Sequence, residues 1–281
     1  MKRKILIIFL IIIVLCAGAV LAISIAPTKD IADKRINNSR KPVILIVIDS
    51  LMSEPLQKAI QEGKAPTFSF LINNGQLYPN IVSSYPTMSV TIDSTLLTGT
   101  YANSHHVPGL IWFNKDENRI VSYGSGGSEI WHNGIKNVAI DSVVNLNEKH
   151  LNKEIQTIYE ELDDLNIESA SINGLLHRGN NDHHLTVPKA LSAIQLLPKD
   201  IEIEGPKLLS LGVLSQYSKN NNYHKFVWDR LGVNNTFTVN ELKYLIEEDK
   251  LPTFTLAYLP DGDATMHKKG PNDLQGIIKA D

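Results

Sequence analysis

Cysteine is almost missing: Cys16 is the single one in 281 residues. That excludes an intrachain disulfide framework, a cysteine zinc cluster and a thiol nucleophile in the folded part. An excess of either charge is missing too. The 27 Lys and Arg stand against 30 Asp and Glu, a net charge of -3, so a surface built for a polyanion such as a nucleic-acid duplex is not expected. Gly and Pro, at 17 and 13, are too few for a collagen-like or low-complexity chain, and 43% apolar residues argue against disorder. There is no internal repeat. What remains is a chain long enough for one large domain or two small ones.

The apolar residues are unevenly spread. Ile5 to Ala26 reads ILIIFLIIIVLCAGAVLAISIA, without a charge. As a helix it would span about 33 Å, enough to cross a bilayer. Lys2, Arg3 and Lys4 precede it. Two readings fit, an uncleaved membrane anchor and a cleaved secretory signal. The length favours the anchor, because a signal's apolar region runs to only about 7–15 residues. Cys16 follows Leu15, so the small residue expected before a lipidated cysteine is absent. Basic residues flank both ends (Lys29, Lys34, Arg35, Arg40 and Lys41 follow), and the positive-inside rule does not choose a side. The short basic head before a long apolar run resembles an export signal, and the folded part is expected on the extracytoplasmic side, membrane-anchored or else secreted. The sequence thus divides into residues 1–26, a polar tether over 27–41, and a folded domain over 42–281.

Within that domain, Pro42 to Asp49 (PVILIVID) and Phe254 to Leu259 (FTLAYL) are continuous apolar runs, expected as strands buried on both faces of a parallel sheet. Ile81-Val82, Val138 to Ile140 and Ala170 to Ile172 are further strand candidates. Helical spacing marks Leu56 to Ile60, Phe68 to Ile72, Val90 to Thr98 (ending at Gly99), Ile155 to Leu165 and Val239 to Glu247. Alternating strands and helices predict an α/β fold with a mainly parallel sheet and helices on both faces. Ligands of such sheets bind beyond the carboxyl ends of the strands, and both apolar runs end there in aspartates.

Three short stretches carry chemistry. A lone Asp49 after a strand ordinarily caps a turn. Asp263 and His267, four apart, bring a carboxylate and an imidazole to one side of a helix, a donor pair suited to zinc. In Tyr85-Pro86-Thr87-Met88-Ser89-Val90-Thr91, hydroxyls sit where a loop enters a helix. There the free N–H groups attract an anion such as phosphate, and a nearby divalent cation turns a hydroxyl into a nucleophile. Taken singly, each has a structural reading: turn, surface pair, helix cap.

Together PVILIVIDS, YPTMSVTIDSTLLTG with TYANSHH, and YLPDGDATMHKKGP resemble the type I phosphodiesterase/nucleotide pyrophosphatase branch of the alkaline phosphatase superfamily, in order and spacing, over about residues 42–275. The resemblance implies an alkaline-phosphatase-like fold and a metal-dependent phosphoric ester hydrolase with two divalent cations, zinc in that family. It makes Asp49 a ligand of one cation, Ser89 the nucleophile that also touches it, and Asp263 and His267 ligands of the other. The implied substrate is a phosphoester small molecule or a lipid head group. Trp112, Phe113 and Trp131 are read as core residues before stacking platforms, and His183 and His184 as loop or cap residues. Residues 124–243, between the motifs, are expected to form a cap.

This sequence departs from the family pattern in three places. Gly262, not Pro, precedes Asp263, and Pro260-Asp261 lies two residues earlier, which leaves Asp261 as a rival ligand. The Asn that helps hold phosphate in the family falls near Leu110 here, with Asn114 as the nearby substitute. The family's G-D-H-G-like pair and a later His have no counterpart before Asp281. The expectation is therefore a C-terminally truncated chain with weak metal retention and little activity. The alternative is a catalytically degenerate, membrane-tethered binding protein on the same fold. A sulfatase is disfavoured because no modifiable C/S-x-P-x-R setting surrounds Ser89.

Overall fold

A computed structural model describes Gly18 and residues 40–124, 132–193, 195, 197–217 and 227–281. The apolar segment 5–26 and the tether lie almost wholly outside the described residues, as does Trp131. Among the described residues no helix is long and apolar enough to cross a membrane.

The chain is organised on a four-stranded, all-parallel sheet in the order β1 (Val43–Ile48), β8 (Phe254–Leu259), β4 (Ser169–Ile172), β7 (Leu208–Ser210). Strand β8 is buried along its whole length between β1 and β4, as its unbroken apolar run requires. Its Phe254, Leu256 and Tyr258 point to one face. There they pack with Leu45 and Val47, with Val90 and Leu97 of α3 (Ser89–Thr98), and with Tyr159 of α6 (Ile158–Asp164). On the other face Ala170, Ile172 and Leu208 pack against Phe237, Tyr244 and Leu245 of α9 (Asn235–Glu247). Helices thus cover both faces. A third cluster joins Leu56 and Ala59 of α1 (Ser53–Gln61), Met266 of α10 (Asp261–Lys269) and Ile277 of α11 (Gln275–Ala280). The helix α2 (Pro66–Asn74) follows α1.

Local chemistry sets the helix ends. Thr157 and Glu160 form a reciprocal capping box at the start of α6, the Glu160 N–H donating to Thr157 Oγ1 at 3.2 Å and the Thr157 N–H to Glu160 Oε2 at 2.6 Å. The Phe237 N–H donates to the Asn234 side chain at the start of α9. Helix α3 stops at Gly99, in the left-handed region with φ of 65°.

Three sequence expectations need correcting. Strand β1 is not buried on both faces. It lies at the sheet's edge among the described strands, with Val43, Ile44 and Ile46 exposed. Ile81 and Val82 form no strand and are 79% and 92% exposed in the loop before α3. Val138 to Ile140 belongs to α5 (Ile135–Ile140), which continues into a π-helical stretch, Asp141–His150. An apolar triplet fits either period, and here the helical one prevails. Residues 124–243, read as a cap, supply β4 and β7 to the central sheet. The part of this stretch that stands outside that sheet includes the antiparallel ribbon of β5 (Asn181–Thr186) and β6 (Asp200–Gly205).

Candidate functional site

Strands β1 and β8 run side by side in register, from Val43 opposite Phe254 to Ile48 opposite Leu259. Both therefore end at one edge. The Asp49 N–H extends the ladder by one bond, donating to the Leu259 carbonyl at 3.1 Å. Beyond that bond the chains diverge, β1 into a turn at Asp49 and Ser50, β8 through Pro260 into α10. Gly262, in the first turn of α10, lies so close to β1 that a Cβ there would stand 2.3 Å from the Asp49 carbonyl oxygen. Only glycine admits that approach.

Asp49 is partly buried and faces three groups. Ser89, the first residue of α3, has its hydroxyl 3.3 Å from both Asp49 Oδ1 and Oδ2. The Tyr258 hydroxyl donates a short hydrogen bond to Asp49 Oδ2. The charge of Asp263 also reaches it. Burial raises the Asp49 pKa, Asp263 adds to the rise, and the bonds from Tyr258 and Ser89 oppose it. Tyr258 is driven well above its ordinary pKa by burial and by the Asp49 charge, so it stays a donor. Of the two rival hydroxyls, Thr87 is exposed ahead of the helix and Thr91 is fully buried with Oγ1 unpartnered. The hydroxyl that meets Asp49 is that of Ser89.

The second pair lies on α10. His267 Nε2 is 3.2 Å from Asp263 Oδ1, with the imidazole largely exposed. Ser50 Oγ donates to the same Asp263 oxygen at 3.1 Å. A cavity of about 300 Å3 opens here, lined by Ser50, Met52, Asp263, Met266, His267 and Pro271. The backbone of Asp261 anchors the start of α10: its N–H donates to Asn235 Oδ1 at 3.0 Å, and its carbonyl accepts from Thr265 Oγ1. Of the two aspartates, Asp263 is the one whose carboxylate meets Ser50 and His267. Among the described residues, no three His, Cys, Asp or Glu side chains gather closely enough to hold one cation. The site therefore offers two donor pairs, Asp49 with Ser89 and Asp263 with His267.

Other residues fall into structural places. Asn114 ends β2 (Ile111–Asn114), and its Oδ1 accepts from the N–H groups of Asp116 and Glu117 in the turn to β3 (Arg119–Ser122). Trp112 packs at the rim of the core, while Phe113 is 56% exposed and does not belong to it. His183, in β5, is buried with Nε2 at 2.6 Å from the Pro206 carbonyl, and His184 is exposed beside Glu202. His105 is fully buried. Its Nδ1 accepts from the Val107 N–H, which leaves Nε2 to donate to Thr95 Oγ1 at 3.2 Å, tying the following turn to α3.

Two site residues escaped the sequence reading. One is Tyr258, two residues before the Pro-Asp pair that drew attention. The other is Asp93, one turn after Ser89 on α3. Asp93 is 8% exposed, and among the described residues no hydrogen bond reaches its carboxylate. Burial, with the charge of Asp49, lifts its pKa to about 7. The i, i+4 spacing of Ser89 and Asp93 was the available signal.

A sequence profile of the type I phosphodiesterase / nucleotide pyrophosphatase family matches residues 43–280. The chain belongs to that family. Its members are phosphoester hydrolases, of the alkaline phosphatase superfamily. No curated protein matches the chain. Among solved structures, murine ectonucleotide pyrophosphatase / phosphodiesterase 5 is similar, with a TM-score of 0.52 and 15% identity over 85% of this chain. An inactive variant of the same murine protein, in complex with AMP, gives a TM-score of 0.51 and 16% identity over 86% of this chain. At such identity the likeness establishes the fold. The chain spans 49% of the length of either structure.

Proposed function

We propose that this chain carries part of a two-cation phosphoester hydrolase centre, with Ser89 as nucleophile. Asp49 and Ser89 would hold one divalent cation, and Asp263 with His267 the other. The observation that carries this reading is the convergence of Ser89 on both oxygens of Asp49, with Asp263 at the same sheet edge. The donors fit the chemistry: carboxylate oxygens and an imidazole suit zinc. A partly buried carboxylate whose pKa is raised by burial and further by a neighbouring carboxylate is the kind of group that a cation relieves. Two donors per cation is fewer than the three typical of catalytic zinc, which agrees with the expectation of weak metal retention by these residues alone.

When bound, such cations lower the pKa of a hydroxyl and neutralise phosphate oxygens. The protein's own groups supply the rest. Ser89 stands at the N-terminus of α3, where unpaired N–H groups favour a phosphate. Its oxygen would attack phosphorus in line as one ester oxygen leaves with a proton as the alcohol. Water would then release from the serine a phosphomonoester where the substrate is a diester, or phosphate where it is a monoester. Tyr258 holds the Asp49 carboxylate in place during this cycle. The substrate class is a phosphoester small molecule, for which the AMP complex of the murine relative is the supporting likeness. A lipid head group suits the same chemistry and an anchored protein. We place the folded part outside the cytoplasm, tethered through residues 5–26.

The test is turnover by the full-length protein of a phosphodiester and of a phosphomonoester, with and without Ser89→Ala. Loss of turnover with metal content largely retained supports the reading. Undiminished turnover would transfer the nucleophile to Thr87 or Thr91.

A further inference from the structure

Ser50 sits at the junction of the two donor pairs and belongs to neither. Its backbone is left-handed, with φ of 59°, a conformation that costs a side-chain-bearing residue of order 1 kcal/mol and persists where surrounding contacts impose it. Two contacts impose it here. The Ser50 hydroxyl donates to Asp263 Oδ1 at 3.1 Å, across 213 residues of sequence. On the other side, the Leu51 N–H donates to the Ile48 carbonyl at 3.3 Å and closes the turn in which Ser50 follows Asp49. The close approach of Gly262 to the Asp49 carbonyl keeps the turn and α10 in fixed relation.

We propose that Ser50 is a positioning residue that couples the two half-sites, holding the Asp263 carboxylate against His267 while its own backbone faces Asp49. This inference rests on the two-cation reading and deepens it. Partners that orient a ligand in this way change metal affinity by about 10- to 100-fold when they are removed. A merely structural serine in a left-handed turn gives the opposite signature. Glycine there relieves the strain and leaves binding untouched.

The experiment is a zinc titration of the full-length chain, read by competition with a chromophoric chelator, alongside thermal melting. Ser50→Gly keeps the backbone conformation and deletes the hydroxyl. It should melt no lower than wild type yet bind zinc about tenfold more weakly. Ser50→Asn tolerates the left-handed region and carries a donor amide into the cavity, so it should recover affinity to within about threefold of wild type. Equal zinc affinity of wild type and Ser50→Gly, in a chain that Asp263→Ala does weaken, overturns the positioning role alone. Absence of zinc uptake by wild type, or uptake that Asp263→Ala leaves unchanged, overturns the two-cation reading and this inference with it.

Discussion

Ser89 Oγ lies 3.3 Å from each carboxylate oxygen of Asp49, forty residues earlier in the chain. A hydroxyl so placed at the head of a helix is committed to that carboxylate. In the full-length protein, Ser89→Ala should lower turnover of a phosphodiester by about a thousandfold or more. The substitution leaves Asp49 and the whole Asp263–His267 pair in place, so zinc content measured by atomic emission should fall far less than turnover. Comparable falls in both would recast Ser89 as a ligand alone.

Tyr258 links the sheet to the site. Tyr258→Phe removes the hydrogen bond to Asp49 and keeps the ring in the core. Deleting a bond to a charged, partly buried group costs about 1–3 kcal/mol, so the urea midpoint should drop accordingly. The Asp49 pKa, already raised by burial, should rise further once the bond that lowers it is gone. Zinc binding followed against pH should then fail at a higher pH than in wild type. An unshifted acid limb would show that Tyr258 does not govern Asp49.

Asp93 gives the metal-free chain a pH dependence of known sign. Its pKa in the folded protein is about 7, above its ordinary value of 3.8, because burial and the Asp49 charge disfavour ionisation. Between those two values the folded state binds more protons than the unfolded one, so stability falls as pH rises through this window. The full loss is on the order of 4 kcal/mol. Asp93→Asn removes the titration, and urea unfolding at about pH 5 and about pH 8 should differ less in the variant than in wild type. Equal differences in the two proteins would assign the pH dependence to other groups.

Gly262→Ala tests the packing of α10 on β1. A Cβ at 2.3 Å from the Asp49 carbonyl oxygen must push backbone against backbone, with an overpacking cost of about 1–3 kcal/mol. Both the melting temperature and zinc affinity should decrease, since the displacement separates Asp263 from Ser50. A variant that melts like wild type would mean that the junction yields easily.

Much of this arrangement was legible in the chain. The apolar runs ending in Asp49 and ahead of Asp263 announced two parallel strands delivering carboxylates to one edge, and the loop before Val90 announced a helix headed by hydroxyls. Pairing was not legible. Whether β1 is central or at an edge depends on which strand lies beside it, and β8 is more than two hundred residues away. Local periodicity carries no such information. The same blindness hid Tyr258, which looks like any aromatic in a buried strand until β1 is laid alongside. Asp93 was hidden for another reason. An acidic residue within a helix is usually solvated, and only tertiary packing buries this one. Asn114 was legible as polar, and the structure adds that its Oδ1 accepts from a hairpin turn.

The ladder between β1 and β8 has a consequence for how such proteins diversify. The register of the two strands, and with it the level of Asp49 against the end of β8, is set by six paired residues and one further bond. Parts of the intervening chain that belong neither to this ladder nor to the helix carrying Ser89, such as the ribbon of β5 and β6, can grow, shrink or be recast without disturbing that register. The spacing at the sheet edge is thereby written in a different part of the polypeptide from that ribbon, and selection can edit one while leaving the other alone.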